Sequence, residues 1–200
     1  GLILGWRPVG APLQILAGDL HGLNTLEHQP AKIAAMEAAW KTQQGTPLVL
    51  FAVPNELAGR NDYAIEIPKL ASLVLKHDFD AEIRGLEDFM PDIPPVAPVF
   101  FAFRLMVGMG VLMLGLAGFG AWRLRKRAPP RWLLWAFAGM TFSGWVATLA
   151  GWIVTEIGRQ PWLVTGILRT ADAAGRVAEA SLGASVTGYA LVYGVMLLAY

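Results

Sequence analysis

The sequence predicts an all-α fold, a polytopic transmembrane helical bundle with an extracytoplasmic loop domain, on three observations. Hydrophobic residues make up 55% of the 200 residues and charged residues only 16%, whereas a soluble domain carries about 25% charge. Three apolar runs reach about 20 residues, the length that a helix needs to cross a bilayer. A long polar segment precedes the first of these runs. A lipid bilayer is therefore the expected solvent for most of the chain.

Composition and motifs exclude several classes of function. A net charge of +1 argues against a dedicated nucleic-acid-binding protein, and the absence of cysteine excludes disulfides, thiolate metal sites and a cysteine nucleophile. The sequence has no phosphate-binding loop, dinucleotide fingerprint, serine-hydrolase elbow or zinc-protease motif. Its three histidines lack the spacing of a zinc site, so ordinary loop and surface roles are expected for them.

The chain divides into seven segments. Residues 1–18 are apolar but interrupted by Arg7, Pro8 and Pro12, and we interpret them as the end of a preceding transmembrane helix. Apolar sequence at both ends, without a signal peptide, indicates a piece of a longer membrane protein. The other segments are an extracytoplasmic loop at 19–97, a transmembrane helix at 98–122, a cytoplasmic basic loop at 123–131, a transmembrane helix at 132–157, an extracytoplasmic link at 158–180 and a transmembrane helix at 181–200. Below, residues 19–97 are called the loop segment.

The distribution of charge predicts the orientation in the membrane. Five bases and no acids lie at 123–131, which places this loop in the cytoplasm by the positive-inside rule. The loop segment holds 12 acids and 6 bases and is therefore expected outside. The first complete span would then run inward, the second outward and the third inward.

The loop segment contains recognisable elements. A helix is expected over His28–Lys41, with Pro30 near its start, where a missing N–H group costs nothing. The apolar run Leu48–Val53 is ambiguous between helix and strand, and Ile65–Leu75 is interpreted as a helix interrupted or started by Pro68. Three prolines between Asp92 and Pro98 predict a stiff entry into the first complete span.

Polar residues at membrane depth are costly and are therefore candidate functional groups. Arg104 lies in the first span, and Glu156 ends the second span one turn before Arg159. The alternatives are that Arg104 snorkels to the interface and that Glu156 and Arg159 form a helix-end ion pair. Sequence alone leaves both possibilities open.

Two further patterns lie within the spans. In the second span a stripe of small residues permits close helix contact, while Trp145, Trp152 and Glu156 share another face. That face suits either lipid or a flat cofactor. Met106 begins a methionine stripe in the first span, which is usually packing, although haem iron also accepts methionine.

Three motifs resemble subunit I of the cytochrome bd quinol oxidases. They are Gly158-Arg-Gln-Pro-Trp162 preceded by Trp152-Ile-Val-Thr-Glu156, then Phe101-Ala-Phe-Arg-Leu-Met106, and Gly18-Asp-Leu-His-Gly22 followed by Gln29-Pro-Ala-Lys-Ile-Ala-Ala-Met-Glu37. Their order and predicted sidedness match the C-terminal half of that subunit.

The resemblance implies a role for each matching residue. Met106 would ligate the iron of a low-spin haem b, with Arg104 beside that haem. Glu156 would ligate, or lie against, a high-spin haem b or a third haem, and Arg159 would balance propionate charge. Trp152 would stand between haems on the electron route, so Glu156 and Trp152 are the expected catalytic residues. The matches to the family's quinol-binding positions are Lys32 and Glu37.

Helix geometry weakens Lys32 and Glu37 as one joint site. Positions five apart are about 140° apart around an ideal helix, so both side chains cannot point at one small ring. Glu37 could also pair with Lys41 at i, i+4. The loop segment, about 80 residues, suggests the family's short quinol loop. Because short-loop members include cyanide-insensitive types, the third haem would be haem d or a further haem b.

The resemblance implies a terminal oxidase of the bacterial inner membrane. It would oxidise ubiquinol or menaquinol at the outer face and reduce oxygen to water, thereby generating a proton gradient. Membrane lipid and oxidase subunit II would be its partners, and the isolated segment would be inactive. The alternative is a transporter or channel segment with Arg104 and Glu156 lining a polar path.

Overall fold

The computed structural model describes residues 2–126, 129–173, 175 and 179–199. Its helices are α1 (Leu2–His28), α2 (Pro30–Glu37), α3 (Leu70–Lys76), α4 (Val96–Lys126), α5 (Arg131–Gly139), α6 (Ser143–Ile157), α7 (Thr170–Ala173) and α8 (Glu179–Ala199). Its strands are β1 (Gln43–Gln44), β2 (Leu48–Asn55), β3 (Arg60–Ile67), β4 (Glu82–Ile83), β5 (Trp162–Val164) and β6 (Leu168–Arg169). Short 3-10 turns lie at Leu86–Phe89 and Met140–Phe142.

Three helical stretches of the described residues are long and apolar enough to cross a membrane. They are Val96–Arg123, Arg131–Ile157 and Glu179–Ala199. They confirm the expected helical membrane fold and lie within a few residues of the three complete spans expected from the sequence. The second stretch is interrupted by the 3-10 turn between α5 and α6.

Several expected boundaries differ from the helix ends. Helix α1 continues past residue 18 to His28, and α4 continues past residue 122 to Lys126. Expectations that fall on residues 1, 127–128, 174, 176–178 and 200 lie outside the described residues. They include part of the basic loop and of the 158–180 link. The orientation of the chain in the membrane stays a prediction.

The loop segment contains strands as well as helices. The ambiguous run Leu48–Val53 forms most of β2, which pairs antiparallel with β3. The expected helix over Ile65–Leu75 is wrong at its start, because Ile65–Ile67 end strand β3 and α3 begins at Leu70. Pairing of Ile65 with Phe51 and of Ile67 with Leu48 outweighs the helical pattern there. Lys69 has a φ of 63°, which separates the strand from the helix.

The buried core lies at the N-terminal end of α4, where the loop segment meets the membrane helices. Its residues come from four elements and the turn before α4: Ala34, Ala35 and Ala38 at α2, Val49 and Ala52 in β2, Leu86, Val96, Val99, Phe100 and Ala102 in or before α4, and Val154 in α6. Small alanines on α2 let this helix approach α4 closely. The position of the charged α2 side chains therefore depends on packing against two membrane helices.

Helices α4 and α6 pack along the small-residue face of α6. Ser143, Ala150 and Val154 are buried there, and a Cβ atom added to Gly151 would lie 2.9 Å from Met106 Sδ. The opposite face is open, because Trp145 is 70% and Trp152 is 63% exposed. The predicted close-contact stripe is thus the α4–α6 interface.

Candidate functional site

The candidate site is built around α2. Pro30 lies in the first turn of this helix, as the sequence predicts. The helix ends at Glu37 because Ala38 adopts a left-handed conformation with φ 50°, and the Ala38 backbone N–H caps it. Lys32 and Glu37 are 8% and 5% exposed, respectively. Charged groups so deeply buried need compensating partners, and each residue finds a different environment.

Glu37 is paired with Arg104 of α4. Arg104 Nη2 donates to Glu37 Oε2 at 3.0 Å, and the same guanidinium donates to the carbonyl oxygens of Met36 and Val49. It also stacks on Phe100, with 3.8 Å from the guanidinium carbon to the ring centroid. The described contacts use four of the five N–H groups of an arginine. Arg104 therefore ties α2, β2 and α4 together.

These contacts bear on the alternatives for both residues. The guanidinium reaches back over Phe100 toward the start of α4, which is the direction expected for snorkelling. The alternative Glu37–Lys41 pair is wrong, because α2 ends at Glu37 and the carboxylate faces Arg104. Burial raises the pKa of Glu37, and the charge and hydrogen bond of Arg104 partly offset that rise. One N–H group of Arg104 Nη1 is left for a further acceptor.

Lys32 lies at the other end of α2, against the turn that follows α6. A Cβ atom added to Gly158 would lie 3.0 Å from Lys32 Cγ, so glycine at this position admits the lysine stem. Burial lowers the pKa of Lys32, Arg159 lowers it further and Glu156 raises it. None of the contacts described for the chain pairs the Lys32 ammonium directly with a carboxylate. Lys32 is thus a buried cation beside a second cation.

Glu156 and Arg159 form a helix-end ion pair, one of the two alternatives that the sequence left open. Arg159 Nη2 donates to Glu156 Oε2 at 2.7 Å. The Glu156 side chain is 49% exposed and shares the open face of α6 with Trp152. This face fits a flat macrocycle, because it offers an accessible carboxylate beside exposed indole rings. Its chemistry is compatible with the haem that the sequence predicts there.

A cavity of about 90 Å³ lies between the start of α2 and the turn after α6. Among the described residues, Gln29 Oε1 and Arg159 Nε are buried atoms that lack a hydrogen-bond partner, and both residues line this cavity. One is an acceptor and the other a donor, so a ligand that both donates and accepts would satisfy them. The sequence motif contains Gln29, but nothing in its spacing marked it as a site residue.

Met106 lies apart from this cavity, in the α4–α6 interface. Its sulfur faces Gly151, and the side chain is half-buried. A thioether is a suitable donor for haem iron, and the missing Cβ of Gly151 gives it room to move. The chemistry of the donor fits a haem, and its ligand role stays a prediction. Among the described residues there is no cluster of three or more His, Asp or Glu side chains that could hold a bare metal ion.

Known proteins resemble this chain in sequence. The sequence model of the family described as "Cytochrome bd terminal oxidase subunit I" matches residues 2–200. "Cytochrome bd ubiquinol oxidase subunit 1" of Bacillus subtilis is 31% identical over 196 residues, covering 90% of this chain and 42% of that protein. "Cytochrome bd-II ubiquinol oxidase subunit 1" of Escherichia coli is 27% identical over 268 residues, covering 100% of this chain and 52% of that protein.

A solved structure has the same fold. The bd oxidase from Geobacillus thermodenitrificans superposes with a TM-score of 0.77 at 30% sequence identity, covering 96% of this chain and 44% of that chain. The chain spans about half the length of the curated relatives it matches, 42% in one case and 52% in the other.

Proposed function

Because the chain belongs to the cytochrome bd terminal oxidase subunit I family, we propose that it forms part of a respiratory oxidase that oxidises quinol and reduces oxygen to water. The chain is a multi-pass protein of the bacterial inner membrane. Oxidation of each quinol releases two protons and two electrons, and reduction of each oxygen molecule to two waters consumes four of each. The isolated chain is inactive, because the remaining haem ligands belong to the longer protein.

One observation carries this proposal: the short helix α2 contacts both segments that bear candidate haem ligands. At one end Glu37 binds Arg104, two residues before Met106 on α4. At the other end Lys32 lies against Gly158, two residues after Glu156. A quinol bound at α2 would therefore lie next to both electron acceptors.

Each of the candidate residues has its own proposed role. Met106 would hold the low-spin haem b, and Glu156 the high-spin haem b or the third haem, which is haem d or a further haem b. Trp152 would line the route between them, with Arg159 beside a propionate. These haems supply one-electron transfer and oxygen chemistry. The ammonium of Lys32 would donate a hydrogen bond to a quinol oxygen. Glu37 faces Arg104 at the other end of α2 and would support quinol binding by fixing that helix against α4.

The assembly also requires partners. Membrane lipid surrounds the spans, ubiquinol or menaquinol delivers electrons, molecular oxygen accepts them, and oxidase subunit II completes the enzyme. The alternative transporter or channel is not favoured by the contacts of Arg104, because its guanidinium is occupied by groups of the loop segment. Proton release outside and proton uptake from the cytoplasm would generate the gradient.

The test is a reduced-minus-oxidised optical spectrum of the assembled enzyme carrying Met106→Leu. We expect loss or displacement of the low-spin haem bands. Met109→Leu is the matched control, since Met109 lies one turn further along the same methionine stripe and should leave the bands unchanged.

Two results would contradict parts of this proposal. Unchanged bands in Met106→Leu would keep the oxidase but remove Met106 as the ligand. Absence of haem from a folded wild-type assembly would overturn the oxidase and favour transport.

A further inference from the structure

The hairpin formed by β2 and β3 is fixed to the N-terminal end of membrane helix α4 at several points. Glu56, in the hairpin turn, accepts hydrogen bonds from the backbone N–H groups of Val96 at 2.7 Å and Ala97 at 3.2 Å. Arg104 donates to the Val49 carbonyl in the first half of β2. These bonds hold both ends of strand β2 against the first turns of α4.

The level of the hairpin relative to the bilayer follows from the length of the span. The 28 residues of Val96–Arg123 make a helix of about 42 Å, which matches a bilayer of about 40–45 Å including headgroups. Since the hydrocarbon core is about 30 Å thick, about 6 Å of each helix end lies among headgroups. Phe101, about 7.5 Å from the start of the helix, thus lies at the edge of the hydrocarbon. Phe51 of β2 packs on it, with ring centroids 6.4 Å apart.

One face of the hairpin is apolar and exposed. The cross-strand pairs Leu48–Ile67 and Phe51–Ile65 bring four apolar side chains onto the same face, which we call the hairpin face. Phe51 is 50% and Ile65 is 59% exposed. Nearby Tyr63, with φ 54°, is 86% exposed. Through Phe51 the hairpin face continues into the exposed apolar surface of α4 around Phe101.

The free edge of β3 limits how deep this hairpin can lie. In the described part of the chain the sheet has only the strands β2 and β3, so the outer edge of β3 has unpaired backbone groups. Such an edge is not tolerated in hydrocarbon, but it can be hydrated among headgroups. A hairpin that lies flat at the interface satisfies both its apolar face and its polar edge. An exposed tyrosine also suits this position, since its ring is apolar and its hydroxyl is polar.

We propose that the β2–β3 hairpin is a membrane-interface element whose hairpin face contacts the acyl chains of the leaflet at the N-terminal end of α4. The continuity of this face with the surface of a membrane-spanning helix identifies lipid as its partner. The contact stabilises the loop segment at the level of the headgroups.

Collision measurements on spin labels test this proposal in the assembled oxidase. Tyr63→Cys and Ile65→Cys variants, each carrying a nitroxide, are placed in nanodiscs of phosphatidylcholine and phosphatidylglycerol. Cysteine is absent from this chain, so only native cysteines elsewhere in the assembly need replacement. Both positions are exposed, and labelling them does not open the core. We expect collisions with oxygen, which concentrates in hydrocarbon, to exceed collisions with a water-soluble nickel chelate.

Glu66→Cys is the matched control. Glu66 lies between Ile65 and Ile67 and pairs with Val49, on the opposite face of the strand. Its label should favour the nickel chelate, so the ratio of oxygen to nickel collisions should be several-fold higher at Ile65. Preference for nickel at both Tyr63 and Ile65 would show a water-facing surface and overturn the proposal. Protection from both relaxants would show a protein-covered surface and overturn it equally.

Discussion

Each end of α2 carries a buried charged side chain, but the surroundings of the two charges are opposite. At the C-terminal end, Glu37 forms an ion pair with Arg104, whose other contacts include backbone carbonyls and the Phe100 ring. At the N-terminal end, Lys32 lies beside Arg159 and a cavity of about 90 Å³, where Gln29 Oε1 and Arg159 Nε lack partners. One end is closed and charge-compensated, and the other is open with an excess of cation.

This difference separates a structural role from a binding role. A buried ion pair at a core position holds elements together, because removal of one partner leaves the other uncompensated. Buried groups without partners mark a place where a ligand can supply the missing bonds. We therefore expect Arg104 variants to affect mainly stability and Lys32 variants to affect mainly quinol affinity.

The largest expected effect is that of Arg104→Leu. It leaves Glu37 buried without a counter-charge and removes the donors to Met36 and Val49. We therefore expect the free energy of unfolding to fall by about 3–5 kcal/mol. The loss should shrink as pH falls, because a protonated Glu37 no longer needs a cation. Thermal unfolding of the assembled protein measures both effects.

Two variants control this experiment. Arg104→Leu combined with Glu37→Gln should recover much of the loss, since no buried charge remains. Arg159→Leu breaks an ion pair whose carboxylate is 49% exposed, and exposed pairs contribute only about 0–1 kcal/mol. Equal destabilisation by Arg104→Leu and Arg159→Leu would refute the distinction between the two ends.

The second expected effect is a pH dependence of quinol affinity that belongs to Lys32. Because burial and Arg159 lower its pKa, Lys32 loses its proton at a lower pH than an exposed lysine. As pH increases, the KM for quinol should therefore begin to rise below the pH at which an exposed lysine titrates, with kcat less affected. Lys32→Arg should move this rise to higher pH, since a guanidinium stays charged.

Lys41→Arg is the control for this titration, because Lys41 is exposed and lies beyond the end of α2. Its pH profile should match the wild type. A rise in KM that is unaffected by Lys32→Arg would exclude Lys32 as the titrating group.

The smallest expected effect on stability is that of Gly151→Ala, which tests the role of Met106 as a haem ligand. The new Cβ would lie 2.9 Å from Met106 Sδ, so the thioether must shift. Stability should change by less than about 1 kcal/mol, because alanine favours helix over glycine by a similar amount. The low-spin haem band should nevertheless move. Gly144→Ala, on the same helix with no atom within 4 Å, should leave the band in place; identical spectra would contradict the proposed ligand role.

Much of the fold could be predicted because hydrophobic length is a local property. The three complete spans follow from apolar runs, and the start of α2 follows from Pro30. Strand β3 could not be predicted, since Ile65 and Ile67 gain their structure from pairing with Phe51 and Leu48 across the hairpin. The role of Glu56 as the cap of α4 was equally invisible, because 40 residues separate it from Val96.

The residues of the candidate site also divide into those that the sequence indicates and those that only the folded structure reveals. Arg104, Glu156 and Arg159 could be identified from the cost of charge near a membrane, and Lys32 and Glu37 from their motif. Helix periodicity already indicated that Lys32 and Glu37 point apart. Their actual partners depend on which membrane helix each end of α2 packs against. The unpaired atoms of Gln29 and Arg159 had no sequence signal, because a cavity exists only once α2 and the turn after α6 are in contact.

The sequence by itself determined the solvent, the membrane spans and the family, because hydrophobicity and contiguous motifs are written along the chain. Tertiary structure alone decided that Glu37 pairs with Arg104 rather than with Lys41, and that Lys32 and Arg159 line one cavity. It also placed the β2–β3 hairpin at the N-terminal end of α4. The physical reason is that electrostatic pairing and cavity formation depend on distances between residues far apart in the chain, and packing of the core sets those distances.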